Sequence, residues 1–460
     1  MMPNKRRLLT LVLTSLLSAP AMAQESLIDV YQRALQNDPA IREAEATYLA
    51  NAQVRPQARS ALLPGLTLGS SLANRFSDTS GGALAPDGST IGSRSKFDQD
   101  SRGWSISLSQ TLFDWGQYAQ LRQADKRVVR AETDYEAAKQ DLLIRVATRY
   151  FDVLAGEDNL ASAVAAREAI SRQLEQAERR FEVGLIAITD VQQSQAGYDD
   201  SVASEIEAQR LLSSSHEFLR EIIGELITEL AGPTDELPLL TPDPASPEQW
   251  VETALQQNLA LVSSRLAAEV ALDDIAIQRA SRLPTVSLSA SISEDTNNRT
   301  QTIFRDPLPP LISPSTQVPE GRSWSIDLRF PIFTGGLNRS RIQQSVYQHR
   351  AASETLERIA RQTERQARDA YLGVISEISR VRALRQAVES NRTALRATEA
   401  GFEVGTQTTV DVLASQNNLR RAETTYSRSR YDYILNVLRL KQAAGNLSVA
   451  DVEQVDGWLQ

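Results

Sequence analysis

The sequence predicts a mainly α-helical fold with a membrane β-barrel contribution, built from two internal structural repeats. Three observations carry that reading. The stretch "FEVGLIAITDVQQSQA" at 181–196 returns as "FEVGTQTTVDVLASQN" at 402–417, 221 residues later. Each copy interrupts a very long helical pattern free of proline. Between the helical stretches lie short runs that alternate apolar and hydroxyl-bearing residues, as expected of a strand with one wet face.

The N-terminus comes first. Lys5, Arg6 and Arg7, the apolar run "LLTLVLTSLL" at 8–17 and the small residues "AMA" at 21–23 predict a secretory signal over 1–23, too short to span a bilayer as a helix. Its removal leaves a chain that starts at Gln24, works outside the cytoplasm and carries a formal charge of −12 instead of −9. With no cysteine, the chain has no disulfide, no thiolate chemistry and no lipid-bearing Cys. An acidic chain without Lys/Arg stripes is not expected to bind nucleic acid. No later apolar run reaches the ~18 residues of a transmembrane helix.

The first repeat is placed at 24–231 and the second at 248–445, joined by the Pro-rich linker "GPTDELPLLTPDPASP" (232–247) and followed by a C-terminal segment, 446–460. "ALQND" (34–38) recurs as "ALQQN" (254–258), "ALLPGLTLGSS" (61–71) as "SRLPTVSLSAS" (281–291), and "WSISLSQTLF" (104–113) as "WSIDLRFPIF" (324–333), always 220 residues apart. Each copy reads as helix, strand, loop, strand, long helix, turn, helix. The short helices are expected at about 25–60, 189–228, 247–282 and 409–444.

Strands are expected at about 66–76 and 103–113, then 285–293 and 322–333, with loops over 78–101 and 295–321. In the second strand Trp104, Ile106, Leu108 and Leu112 share one face, opposite Ser105, Ser107, Ser109 and Thr111. In the fourth, Trp324, Ile326, Leu328, Phe330 and Ile332 oppose Ser323, Ser325, Asp327 and Arg329. An ordinary hairpin on a protein core explains the alternation, but the polar face suits a water-filled lumen. Trp104, Phe113, Trp115, Trp324 and Phe333 fall near strand ends, where membrane-interface aromatic girdles lie. Four strands cannot close a barrel with a lumen, and an open edge in lipid leaves backbone groups unpaired at several kcal/mol each. If the strands are membranous, the barrel is shared between chains.

The long helices are expected over about 116–183 and 337–404, on the order of 100 Å each. Leu121, Ala124, Val128, Ala131, Tyr135, Ala138 and Leu142 step by three and four, the spacing of helices packed side by side. Beyond Leu142 the steps loosen, which straightens the supercoil around a wide cylinder. Gly184 and Gly405 supply the left-handed stop that ends each long helix. Thr189–Asp190 and Thr409–Asp411 are expected to cap the returning helices. These turns, 183–190 and 404–411, form tips at the end farthest from the strands.

"VGLIAITDVQ" (183–192), "GFEVGTQTTVDVL" (401–413), the strand pairs and the repeat together resemble the TolC family of outer-membrane efflux and type I secretion channels, over nearly all of the chain after the signal. The resemblance implies a homotrimer in the outer membrane. Its 12-stranded β-barrel, four strands per chain, would be continuous with a long α-helical coiled-coil barrel reaching through the periplasm. The segments around 228–247 and 445–460 would form an equatorial belt. Partners implied are a periplasmic adaptor (membrane fusion) protein, an inner-membrane ABC or proton-driven pump, and outer-membrane lipid. In the family, a Thr–Asp pair on one tip faces a Tyr and an Arg on the other, closing the periplasmic entrance. Thr189 and Asp190 match the first pair; Phe402 and Gln407 stand where the Tyr and Arg would be. Gln407 can still donate to Asp190, and Arg180 or Arg420 offers a cation in place of the missing one. Asp411 matches a pore-facing acidic position of relatives that governs ion selectivity, while Ala414 replaces the second such position.

An enzyme reading finds little support. His216 and His349 have no partner at a metal-ligand spacing, and neither a phosphate loop nor a GxSxG elbow is present, so no catalytic residue and no cofactor is expected. The competing non-enzymatic reading is a periplasmic scaffold or adaptor made of long helical hairpins.

Overall fold

The computed structural model describes residues 24–84, 86, 90–227, 229–234, 237–305 and 308–459. The signal expected over 1–23 lies outside them, as do residues 228, 235, 236 and 460 of the two segments expected to form the belt. The fold is mainly helical with one β-sheet portion. No helix among the described residues is long and apolar enough to cross a membrane. Two compact units are formed: the described residues of Met1–Glu45, Tyr135–Leu259 and Ala360–Gln460, and those of Ala46–Asp134 and Ala260–Ile359.

The first unit holds the main apolar core. Helix α1 (Leu27–Asn37) starts at a capping box in which Ser26 and Asp29 satisfy each other's backbone N–H. Leu27, Val30, Tyr31 and Ala34 form its buried face. The single helix expected over 25–60 is broken, with α2 at Pro39–Ala52 and α3 at Val54–Ser60. The cause of the first break is Pro39: it forces the preceding Asp38 out of the helical region, to φ −64 and ψ 120.

Helix α4 (Trp115–Glu182) runs for 68 residues and α5 (Ile188–Ile223) returns from it. Helix α6 (Pro247–Gln257) is separated from α7 (Leu259–Ala280), so the helix expected over 247–282 is also split. No proline causes this break. Instead the Asn258 side-chain amide donates to the Ala443 carbonyl at 3.0 Å. Gly445 presses on the same turn: a Cβ there would lie 2.3 Å from the Gln257 carbonyl oxygen. Helix α8 (Leu337–Glu403) has 67 residues, α9 (Thr409–Ala444) returns from it, and α10 (Val449–Asp456) ends the chain.

In the centre of this core Phe151 stacks on Tyr431 at 5.5 Å between ring centroids, and Tyr150 meets Phe151 edge-on. The Tyr150 hydroxyl is shared between the Ala231 carbonyl at 2.6 Å and the Glu25 carbonyl at 3.1 Å. It thereby ties the chain ends of two loops to α4, and burial pushes its phenol well above the usual range.

The second unit carries the sheet: β1 (Gly65–Leu84), β2 (Thr90–Phe113), β3 (Thr285–Arg305), β4 (Leu308–Gln317) and β5 (Glu320–Arg329). All pairings are antiparallel, in the order β1-β2-β3, with β4 and β5 both on β3. The stretches expected as loops, 78–101 and 295–321, are therefore mostly strand. β1 pairs with β2 out to Leu84↔Thr90, and β3 pairs with β4 beyond Asn297. The strand expected to reach 333 stops at Arg329, because Pro331 has no N–H to offer a ladder. The helical segments of this unit are joined by polar contacts. The Gln123 amide donates to Asp274 at 2.7 Å, and Lys126 reaches the buried Asp273 at 2.9 Å.

Candidate functional site

Two features of the structure bear on function: the pair of helix tips and the two faces of the sheet. At the first tip Gly184 has φ 75, its N–H donates to the Phe181 carbonyl at 2.8 Å, and the Leu185 N–H donates to the Arg180 carbonyl at 2.9 Å. At the second, Gly405 has φ 80, its N–H donates to the Phe402 carbonyl at 3.2 Å, and the Thr406 N–H donates to the Gly401 carbonyl at 2.8 Å. A side chain at either glycine would be strained in this left-handed conformation, so the residues expected to stop the long helices stand where the chain turns.

The caps differ from expectation. The returning helices are capped by Ala187 and Thr408, not by Thr189 or Thr409. These two residues hold the extended backbone of a cap, and the acids lie three positions further on, where a carboxylate can reach back. Asp190 accepts the Ala187 N–H at 3.3 Å. Asp411 accepts both the Thr408 N–H at 2.8 Å and the Thr408 hydroxyl at 2.7 Å. The Thr408 hydroxyl, then its backbone N–H, hold the Asp411 carboxyl below the usual range. The T-x-x-D spacing of 408–411 is the readable sign of this box.

Of the residues singled out for a gate, Thr189 is exposed and Asp190 half-buried on the first tip; Phe402 is half-buried and Gln407 exposed on the second. Among the described residues no hydrogen bond joins Asp190 to Gln407. Gln407 folds onto its own turn: its N–H donates to the Gly401 carbonyl at 3.2 Å, and a Cβ at Gly401 would lie 2.7 Å from its Cγ. What does bridge the tips is the Arg180 guanidinium, 5.1 Å from the centroid of the Phe402 ring. Arg420 is elsewhere, lining a cavity of about 300 Å³ with Asp200, Ser204 and Asn417. Asp411 is exposed at the start of α9.

The sheet divides by face, with Gln110 and Arg322 as polar members of the otherwise apolar one. One set of cross-strand rows is Leu66–Leu108–Ala290–Trp324 and Leu68–Ile106–Ile292–Arg322, continued by Leu288–Ile326 and Val286–Leu328. The alternate rows are Gly65–Ser109–Ser289–Ser325, Thr67–Ser107–Ser291–Ser323 and Gly69–Ser105–Ser293–Gly321. Hydroxyls and glycines thus line up across all four strand positions, and the Ser291 and Ser323 hydroxyls bond each other at 2.9 Å. Beyond Trp104 the division is lost: on the formerly apolar face Arg102 pairs with Leu72, Asp100 with Asn74 and Asp98 with Phe76.

Trp104 and Phe113 bound the apolar stretch of β2. A register shift between Thr111 and Phe113 sets Phe113 beside Val286 and leaves Leu112 without a partner in β3. Trp115 opens α4. Trp324 sits in the Leu108 row rather than at the end of β5 and is 75% exposed, and Phe333, past the last strand, is 87% exposed. Among the described residues, no group of three His, Cys, Asp or Glu side chains is arranged to hold a metal ion.

Comparison with known proteins adds three findings. The sequence pattern of the family described as outer membrane efflux protein matches residues 30–225 and again 250–446. The outer membrane protein TolC of Vibrio cholerae is 35% identical over 459 residues, 99% of each chain, and the alkaline protease secretion protein AprF of Pseudomonas aeruginosa is 29% identical, over 93% of this chain and 86% of its own. In fold, the outer membrane protein VceC of Vibrio cholerae superposes with a TM-score of 0.71 at 18% identity, covering 91% of this chain and 96% of its own.

Proposed function

This chain belongs to the outer membrane efflux protein family, and on that premise we propose that three copies build one tunnel through outer membrane and periplasm. The protein is an outer-membrane channel of efflux and type I secretion, as its family and its TolC and AprF relatives indicate. The family is one of transport proteins, not of enzymes.

The observation that carries the shared barrel is the division of the sheet. A largely apolar face across all four strand positions suits lipid, and the Ser/Gly face behind it suits a wet lumen. The ten residues from Trp104 to Phe113 span about 33 Å of strand, which at a tilt of about 40° covers about 25 Å, the height of an outer-membrane apolar band. In lipid the outer edges of β1 and β5 must find partners. A neighbouring chain supplies them, and three chains close twelve strand positions into one barrel. Trp104, Phe113, Trp115 and Phe333 are then its interfacial aromatics, whereas Trp324, in the Leu108 row, meets lipid nearer the middle of the band.

In the same reading the tips at 183–190 and 404–411 form the periplasmic entrance. They meet a periplasmic adaptor and an inner-membrane pump, of the ABC or proton-driven kind. Thr189, Asp190, Phe402 and Gln407 line the gate. Asp411, repeated three times on one ring, favours cations, because a constriction lined by one sign of charge focuses the field. The test is the purified protein in planar bilayers. Ion channels with stepwise conductance and cation preference are expected; a protein that forms no channel and fractionates with soluble periplasmic material would refute the proposal.

A further inference from the structure

Of the residues that the family resemblance nominates for bonds between the tips, Asp190 and Gln407 are engaged within their own turns. Asp190 is taken by the Ala187 N–H, and Gln407 lies against Gly401 of its own turn. Phe402 has no polar group to offer. Across the gap stands the Arg180 guanidinium over the Phe402 ring, at 5.1 Å from its centroid. Among the described residues Arg180 has no carboxylate within ion-pair distance, whereas its neighbour Arg179 pairs with Glu175. The ring face is thus the partner this guanidinium has, and an arginine over an aromatic face is attracted by the ring quadrupole.

The two residues also sit at the closing bonds of their turns. The Arg180 carbonyl receives the Leu185 N–H, and the Phe402 carbonyl receives the Gly405 N–H. A force between the side chains is therefore transmitted directly to both turns. We propose that Arg180 and Phe402 form a cation–π latch that holds the first and second hairpin tips of each chain together in the closed entrance. This rests on the reading of the tips as that entrance, and it adds Arg180 to the gate as the residue that makes Phe402 a working substitute for a hydrogen-bonding phenol. Opening the entrance means separating guanidinium from ring, and the latch is broken by losing either one.

The experiment is resting conductance of the full-length purified protein in planar bilayers, for wild type, Arg180→Gln, Phe402→Leu and the double variant. Each single variant is expected to raise resting conductance roughly threefold or more. The double variant is expected to rise no further than the larger single effect, because both changes break one contact. Phe402→Tyr, which keeps the ring, should restore closure relative to Phe402→Leu. Wild-type channels whose conductance is unchanged by either single variant, or single effects that add in the double variant, would overturn the latch while leaving the channel intact. Absence of channels from the wild type would instead overturn the channel reading, and the latch with it.

Discussion

Replacing Leu108 by arginine should block assembly, whereas replacing the adjacent Ser107 should not. Leu108 stands mid-way along the apolar stretch of β2, between Leu66 and Ala290, with Trp324 one strand further. Ser107 points to the other face, between Thr67 and Ser291. If the apolar face meets lipid, Leu108→Arg puts a cation near the bilayer midplane at a cost of roughly 2–4 kcal/mol. A trimer carries the change three times, so the sum is about 6–12 kcal/mol if the distant sites add. That is comparable to the whole stability of an ordinary domain, roughly 5–15 kcal/mol. Ser107→Arg turns its guanidinium into water in the lumen and should leave assembly within about 1 kcal/mol of wild type. The assay is the fraction of protein recovered from outer-membrane fractions as a heat-modifiable oligomer. Normal recovery of Leu108→Arg with loss of Ser107→Arg would put the serine face against lipid and overturn the assignment.

Asp411→Asn tests the proposed selectivity ring: reversal potentials across a salt gradient should lose cation preference with the oligomer intact. An unchanged reversal potential with lower thermal stability would reduce Asp411 to a helix cap. The lowered carboxyl of Asp411 also sets a pH dependence: its help to the start of α9 is present above the ordinary carboxylate range and lost as pH falls through its depressed value. The pH dependence of thermal unfolding in Asp411→Asn against wild type measures it. Tyr150→Phe removes a buried hydroxyl shared by two carbonyls and should cost about 1–3 kcal/mol in denaturant unfolding, with conductance unaltered. Gly445→Ala should lower thermal stability more than an exposed helix change does. Its φ is 82, and the added carbon meets the Gln257 carbonyl at 2.3 Å. Little change in melting would show that this turn can relax.

Much of this architecture is legible in the residues. The period-two run from Trp104 to Thr111 marks a strand with a hydroxyl face, and the proline-free stretches mark α4 and α8. Gly184 and Gly405 mark the turns. Legibility fails where the pattern loses contrast. Over 78–101 the sequence is mostly Gly, Ser, Asp and other polar residues and its few apolar ones do not alternate, so the strand signal vanishes although backbone pairing continues to Leu84↔Thr90. The break at Asn258 has no proline to announce it and depends on Gly445 and Ala443, far along the chain. At the tips, local chemistry such as the Thr408–Asp411 box can be read from spacing. The meeting of Arg180 with Phe402 cannot, since tertiary packing alone brings the first hairpin to the second.

The most direct test of a barrel shared between chains is the native mass of the purified protein in detergent, with the detergent contribution subtracted. Sheet edges that cannot remain open in lipid require a mass of three chains, stable to dilution. A folded, membrane-inserted species with the mass of one chain would contradict it.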